Sequence, residues 1–255
     1  MSGREIRPNQ AVRQALPPLV TTQHRTKSSA LHDIKFIGPL RPWPNFLQAV
    51  RTVNESQNWN SQPIKCDMIA RNMQGDSVFV GDETGVQGRF QQAVGHAMGQ
   101  VFKAQTMNIA FGDFKCVGNT VAITPDIAMF ATLNRRPELK AIGEMKVPWV
   151  IRHDISSTWE LGDEEWFRTL LAQPIQYMKK LKCKYGFLST YDQTIFLRQH
   201  YARGQWEVHY SPVIFASTSL VNPTGAVQGG GYADCLGETM LLLFGPHRKH
   251  AGANK

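Results

Sequence analysis

The sequence predicts an α/β protein with a central mixed sheet flanked by helices. Apolar residues recur at helical spacing in two long stretches, and shorter apolar runs lie between and after them. Turn chemistry (Gly118-Asn119, Asn134-Arg135-Arg136-Pro137, Tyr191-Asp192-Gln193) separates the short runs. The resulting order is helix, three strands, helix, strand, strand, which suits a layered sandwich. With 255 residues, 42% hydrophobic and 19% charged, the chain can bury a sizeable core, and a disordered protein is excluded.

Residues 1–30 are polar and basic, contain Pro8, Pro17 and Pro18, and read as a flexible arm. A single domain is expected over 31–245, with its core at about 80–215, and 246–255 form a basic tail. Phe46, Leu47, Val50 and Val53 predict a short amphipathic helix after the Pro-rich stretch at 39–44. Val86, Phe90, Val94, Ala97, Met98, Val101 and Phe102 predict a helix over Glu83–Ala104. Strands are expected at Asn108–Val117, Thr120–Thr132 and Leu139–Val147. The second long helix runs from about Asp163 to Lys182, with acids at its start and lysines at its end, as the helix dipole favours. Pro174 is expected to kink it or to begin another helix. Strands at Tyr185–Thr190, Thr194–Gln199 and Trp206–Ile214, and a helix over Ala233–Phe244, complete the reading.

The chain carries 28 Lys+Arg against 20 Asp+Glu, a net charge of +8. Such a surface attracts polyanions such as nucleic acid. Four widely spaced cysteines without a CxxC pair argue against structural zinc and a disulfide framework. The apolar run Met240–Phe244 is far below the ~20 residues of a membrane helix, so no membrane partner is expected. The N-terminal region has no signal-peptide pattern, and an intracellular location, nuclear or cytoplasmic, is expected.

Two segments carry the chemistry. Asp126 interrupts the apolar run VAITPDIAMFATL, and Glu144 and Lys146 interrupt LKAIGEMKVPW. Strand alternation points Glu144 and Lys146 to one face. Carboxylates buried in a sheet need their charge offset, and a hard divalent cation does this with oxygen ligands while keeping several waters. Such an ion polarises a phosphoryl oxygen, and a lysine beside it stabilises negative charge.

The pattern PD…ExK, together with Gln173-Pro174-Ile175-Gln176-Tyr177, resembles the PD-(D/E)XK nuclease superfamily with the QxxxY element of its RecB-like and lambda-exonuclease-like branches. GEMKVPW followed by YGFLSTYDQTIFLRQ and YSPVIF is similar to nuclease-like domains of fungal genomes. The resemblance covers roughly residues 80–215 and implies a restriction-endonuclease-like αβββαβ core. It implies Mg2+ or Mn2+ held by Asp126, Glu144, the Met145 carbonyl and Glu83. Lys146 would assist the attacking water, and Gln173 and Tyr177 would position water or substrate. Lys179, Lys180, Lys182, Arg135 and Arg136 are candidates for nucleic-acid contact. The implied activity is hydrolysis of phosphodiester bonds, DNA ahead of RNA, with a homodimer as one assembly.

Plainer readings stand beside these. Asp126 after Pro125 suits a turn, Glu144 and Lys146 suit the solvated face of an edge strand, and Gln173 and Tyr177 suit any helix. Glu83 suits a helix N-terminus and the lysines a solvated helix end. The alternative function is a catalytically inactive module that binds nucleic acid or a protein partner.

Overall fold

The computed structural model describes residues 5–28, 31, 33–65, 78–118, 123–133, 136–160, 162–202, 204–218 and 236–244. Residues 233–235 of the expected last helix, the tail at 246–255, Arg135, Cys66 and Cys235 lie outside them. Of the cysteines within them, Cys116 and Cys183 are free thiols, and burial pushes the Cys183 thiol up to about 12.

An eight-stranded mixed sheet forms the centre of an α/β fold. Its strands are β2 (Leu40–Pro42), β4 (Ile109–Gly112), β5 (Ile127–Leu133), β6 (Arg136–Met145), β7 (Tyr185–Ser189), β8 (Gln193–Ala202), β9 (Gln205–Tyr210) and β10 (Ile214–Phe215). The order across the sheet is β2-β9-β8-β7-β6-β5-β4, with β10 on β8. The β2–β9 and β6–β7 pairs are parallel and the others antiparallel. A separate ribbon pairs β1 (Glu5–Ile6) with β3 (Ile64–Lys65). The unforeseen β2 lies in the Pro-rich stretch. Proline fits there because an edge strand needs donors on one side only.

Helices cover both faces. On one face lie α2 (Phe46–Ser56), the long helix at 83–104 and α7 (Leu236–Phe244). They pack with Ile127, Met129, Ala141, Met145, Phe187 and Phe196. On the other face α5 (Ile155–Glu160) and α6 (Glu164–Lys180) make the crossover between β6 and β7. There Ile155, Phe167, Leu170, Leu171, Ile175 and Met178 pack with Ile142, Leu188, Ile195, Leu197 and Val208. Strand alternation thus assigns every second residue of β6 to each layer.

Several sequence expectations are corrected. The segment read as a flexible arm is laid onto the body after α1 (Pro8–Ala11). Val12 is buried, the Leu16 amide donates to the Ala216 carbonyl, and the buried Tyr191 hydroxyl donates to the Pro17 carbonyl. The hydrophobic core therefore includes Val12, Phe46, Val50 and Met240. The expected strand at 108–117 ends at Gly112, where Asp113 accepts the Lys115 amide and starts a 3-10 turn (Phe114–Val117). Of the strand expected at 120–132, residues 120–122 lie outside the described residues, 123–126 are not strand, and β5 begins at Ile127. The helix over 83–104 forms as α3 (Glu83–Phe90), a π turn (Gln91–Gly95) and α4 (His96–Ala104). The π turn lets three consecutive residues, Ala93, Val94 and Gly95, be buried together. Rather than starting a new helix at Pro174, α6 runs through it. The proline lies on the buried face, where packing outweighs one missing backbone donor. The run at 206–214 divides into β9 and β10. Among the described residues no helix is long and apolar enough to cross a membrane.

Gly143 in β6 allows the Phe187 ring to lie across the strand. A Cβ there would meet ring carbons at 2.1 to 2.7 Å. Phe187 is fully buried between Phe90 and Phe196, so its ring has no room to retreat. Gly143→Ala is expected to lower stability by about 2–4 kcal/mol through overpacking. Urea unfolding of parent and variant checks this.

Candidate active site

Three elements bring the acids together. Asp126 stands at the mouth of β5 and Glu144 is the penultimate residue of β6. Ile127 pairs with Gly143, so one further step places Asp126 opposite Glu144, on the face of Ala128 and Ile142. The Met145 amide donates to Asp126 Oδ2 at 2.8 Å, and the Gln87 side-chain amide donates to the Asp126 carbonyl. The third acid, Glu83, is the first residue of α3, whose N-cap Asp82 accepts the Gly85 amide at 2.7 Å. The Lys146 amide donates to the Ser189 carbonyl at 2.9 Å, which holds Lys146 at the end of the parallel pair.

Oxygen atoms of Glu83, Asp126 and Glu144 lie within 4.8 Å of one another. Lys146 Nζ donates to Glu144 Oε1 at 2.8 Å and reaches Glu83 Oε1 at 3.3 Å. Only 3% of each side chain of Glu144 and Lys146 is exposed, against 32% for Glu83. The reading of Glu144 and Lys146 as a solvated edge is therefore overturned: β6 is central and both heads are buried. Burial pushes the carboxyls of Glu83 and Asp126 above their usual range. Glu144 is pushed up to about 8, by burial first and then by its acidic neighbours against the pull of Lys146. Burial favours the neutral form of Lys146, but the surrounding carboxylates outweigh it and raise the ammonium above its ordinary value. Lys146 is thus a fixed cation at neutral pH and cannot accept a proton there. Glu144 Oε2 is buried without a hydrogen-bond partner.

On α6, Gln173 Nε2 donates to the Tyr177 hydroxyl at 2.9 Å, while Gln173 Oε1 is buried and unpartnered. Tyr177 lies within the electrostatic reach of Glu144, Asp126 and Lys146, and burial raises its hydroxyl. The helix thus turns its i, i+4 pair toward the acids. Lys179, Lys180 and Lys182 are placed elsewhere. They lie where α6 leads into β7, at the opposite end of the β6–β7 pair from Met145 and Ser189. Lys179 Nζ sits over the Trp206 ring at 4.8 Å, on β9, three strands from β6. Arg136 begins β6, at the far end of that strand from Glu144.

The sequence did not single out the groups that brace this corner. Gln87 is one. His153 is another: its Nδ1–H donates to the Val147 carbonyl at 2.9 Å, and burial lowers its pKa and keeps the ring neutral. Asp154 caps α5, accepting from the Ser157 amide and the hydroxyls of Ser156 and Ser157, while Gln193 Oε1 takes the Ile155 and Ser156 amides. These bonds hold the Asp154 carboxyl down to about 2 although its partial burial acts the other way. A depressed acid stabilises the fold above its unfolded value and loses that contribution as pH falls through the folded one. Asp154→Ala is expected to cost about 1–2 kcal/mol at pH 7, a difference that fades between about pH 4 and pH 2. Thermal melts across that window measure it.

His200, Glu207 and His209 form a second close group. Arg198 donates to His209 Nδ1 at 2.9 Å, which leaves Nε2–H to donate to Glu207 Oε1 at 2.8 Å, and Arg41 takes Glu207 Oε2 at 3.0 Å. A cation on His209 Nε2 would turn Nδ1–H against the Arg198 donor, so this set fits a polar ladder and not a metal. Among protein-family models, curated proteins and solved structures none matches the chain, and its own geometry is what describes the site.

Proposed function

We propose that this chain is a divalent-metal-dependent nuclease that hydrolyses phosphodiester bonds in nucleic acid, DNA ahead of RNA, on a restriction-endonuclease-like αβββαβ core. That core would be the long helix at 83–104, β4, β5, β6, α6 and β7, in the order that the PD-(D/E)XK resemblance implies. The observation that carries the reading is the meeting of Glu83, Asp126 and Glu144 around Lys146. Side chains from the entry to β5, the end of β6 and the start of α3 converge there, at a desolvation cost that the fold alone does not require.

The donor set fits Mg2+ or Mn2+: every candidate ligand is a hard oxygen, and Glu144 Oε2 is buried with no protein partner. Asp126, Glu144 and Glu83 would hold the ion, with the Met145 carbonyl beside them. When bound it would supply Lewis-acid polarisation of a phosphoryl oxygen and a more acidic water. Lys146, permanently charged, would orient the attacking water and stabilise charge developing on the phosphoryl group. Gln173 Oε1 would accept a hydrogen bond from water or substrate, with Tyr177 holding the amide in place.

Metal binding should release a proton. Below about pH 8 the Glu144 carboxyl is largely protonated, and an ion requires it ionised. Affinity for Mn2+ is expected to rise with pH and level off above about 8, as calorimetry in buffers of different ionisation enthalpy would show. The function itself is tested by incubating duplex DNA, single-stranded DNA and RNA with the protein and Mg2+ or Mn2+. Metal-dependent cleavage lost in Glu144→Gln supports the reading. Equal cleavage by parent and variant refutes it, and binding without any cleavage gives the non-catalytic module.

A further inference from the structure

The segment read as a flexible arm forms a strap held by residues that flank the acid cluster in sequence. It runs beside the approach to α3: Val20 and Phe79 form a parallel bridge, and the Val80 amide donates to the Val20 carbonyl at 2.8 Å. Thr26 then ties two walls together. Its amide donates to the Gly81 carbonyl at 2.8 Å, and its carbonyl accepts Trp149 Nε1 at 2.8 Å. Gly81 lies two residues before Glu83, and Trp149 three after Lys146. The Arg25 guanidinium lies 5.4 Å from the centre of the Trp149 ring, and Arg25 also reaches the Thr21 hydroxyl at 3.4 Å. Beyond Trp149 the motif repeats. Arg152 sits 5.3 Å from the centre of the Trp166 ring, whose Nε1–H is fixed on the Arg152 carbonyl at 2.9 Å.

This rim carries apolar side chains that the core leaves outside. Phe79 is 61% exposed and Ile151 87%. An exposed ring, Phe79, and the guanidinium groups of Arg25 and Arg152 offer the chemistry that holds a nucleic-acid strand. Bases stack on ring faces, and guanidinium groups take the phosphates. A duplex hides its base faces in its own stack, so it gains nothing from Phe79, whereas a single strand offers both groups. Glu83, whose side chain is 32% exposed, follows two residues after Gly81, which the strap holds.

We infer that Arg25 on Trp149, Phe79 and Arg152 form a track for single-stranded nucleic acid leading to the Glu83–Asp126–Glu144 cluster. The inference rests on the nuclease reading for what the strand meets there, but not for the binding itself. The track selects a strand by stacking and backbone charge and reads no base edges, so it accepts mixed sequences.

The test is fluorescence anisotropy with a labelled mixed-sequence single-stranded DNA and its duplex, in EDTA so that metal-dependent cleavage cannot occur. The parent is expected to favour the single strand. Phe79→Ala should weaken single-strand binding about tenfold or more, while Phe79→Tyr restores it. Arg25→Ala should lower the slope of log affinity against log salt by about 0.7, the value for one phosphate contact on a single strand. Lys103→Ala, on α4 away from the track, should leave the Phe79-dependent discrimination intact, and melting curves verify that each variant folds. Parent-like single-strand binding by Phe79→Ala and Arg25→Ala overturns the track, as does a tighter grip on duplex through the same residues. The nuclease reading is judged separately by metal-dependent cleavage: a protein that binds single strands through Phe79 and Arg25 but cuts nothing retains the track and loses the nuclease.

Discussion

If the chain is the proposed nuclease, Glu144→Gln is expected to cut phosphodiester hydrolysis by about 10³-fold or more while leaving the fold intact. The amide has the shape of the carboxyl and can still accept from Lys146 Nζ, so the buried contact at 2.8 Å survives in geometry. What disappears is the negative oxygen that a hard cation requires. The effect on stability has the opposite sign. In the metal-free protein the Glu144 carboxyl is raised to about 8, above its unfolded value near 4.5, because burial and nearby acids penalise its charge. A raised acid contributes stability that is complete below the unfolded value and is lost as pH rises through the folded one. The parent should therefore lose stability between about pH 4.5 and pH 8, and the glutamine variant should lose less. Melting curves at pH 5 and pH 8.5, run beside cleavage assays, measure both. A variant that still cuts, or that unfolds at pH 8.5 before the parent does, contradicts this assignment.

Lys146→Ala carries the largest expected cost in stability. It removes the cation among three carboxylates and leaves a buried acid with no counter-charge. Breaking such a pair costs about 3–5 kcal/mol, which corresponds to roughly 10 °C in melting temperature for a domain of this size. The loss should be deepest above pH 8, where the acids are ionised, and shallow near pH 5, where they take up protons. Added Mn2+ should restore much of it. An ion at a hundred times its dissociation constant contributes about 2.7 kcal/mol, and the variant has more repulsion to relieve than the parent. Cleavage should stay lost even in the metal-restored protein, because no ammonium remains beside the phosphoryl group. A variant as stable as the parent at pH 8.5 would show that the cluster is not a charge-balanced unit.

The acid cluster was legible because a strand in which a charged residue interrupts Val, Ile, Ala and Met is costly unless the charge has a purpose. Asp126, Glu144 and Lys146 each break an apolar run, although only Glu144 lies within a strand, Asp126 preceding β5 and Lys146 following β6, and the antiparallel register then puts the acids opposite one another. The helical stripe that carries Gln173 and Tyr177 was legible from its spacing. Charge patterning misled at the end of α6. The lysines there suit a helix C-terminus, and nothing in their spacing tells which end of the neighbouring strands they approach. The rim was not legible at all. Thr26, Arg25, Gly81 and Trp149 carry no local pattern, and their meeting depends on contacts between residues as much as 123 positions apart. The π turn was hidden for a related reason: an extra residue within a regular stripe still reads as a stripe.

The strap also sets an order of assembly. Asp126 and Met145 are 19 residues apart and joined by a single hairpin, so their contact closes a short loop. The strap segment is held by partners far along the chain: Pro17 by Tyr191, 174 residues on, and Arg13 by Glu238, 225 residues on. Contacts of such long range form slowly and late. During synthesis the acids can therefore meet while much of the polypeptide is still unmade, and the N-terminal strap gains its Glu238 anchor only once that residue has left the ribosome.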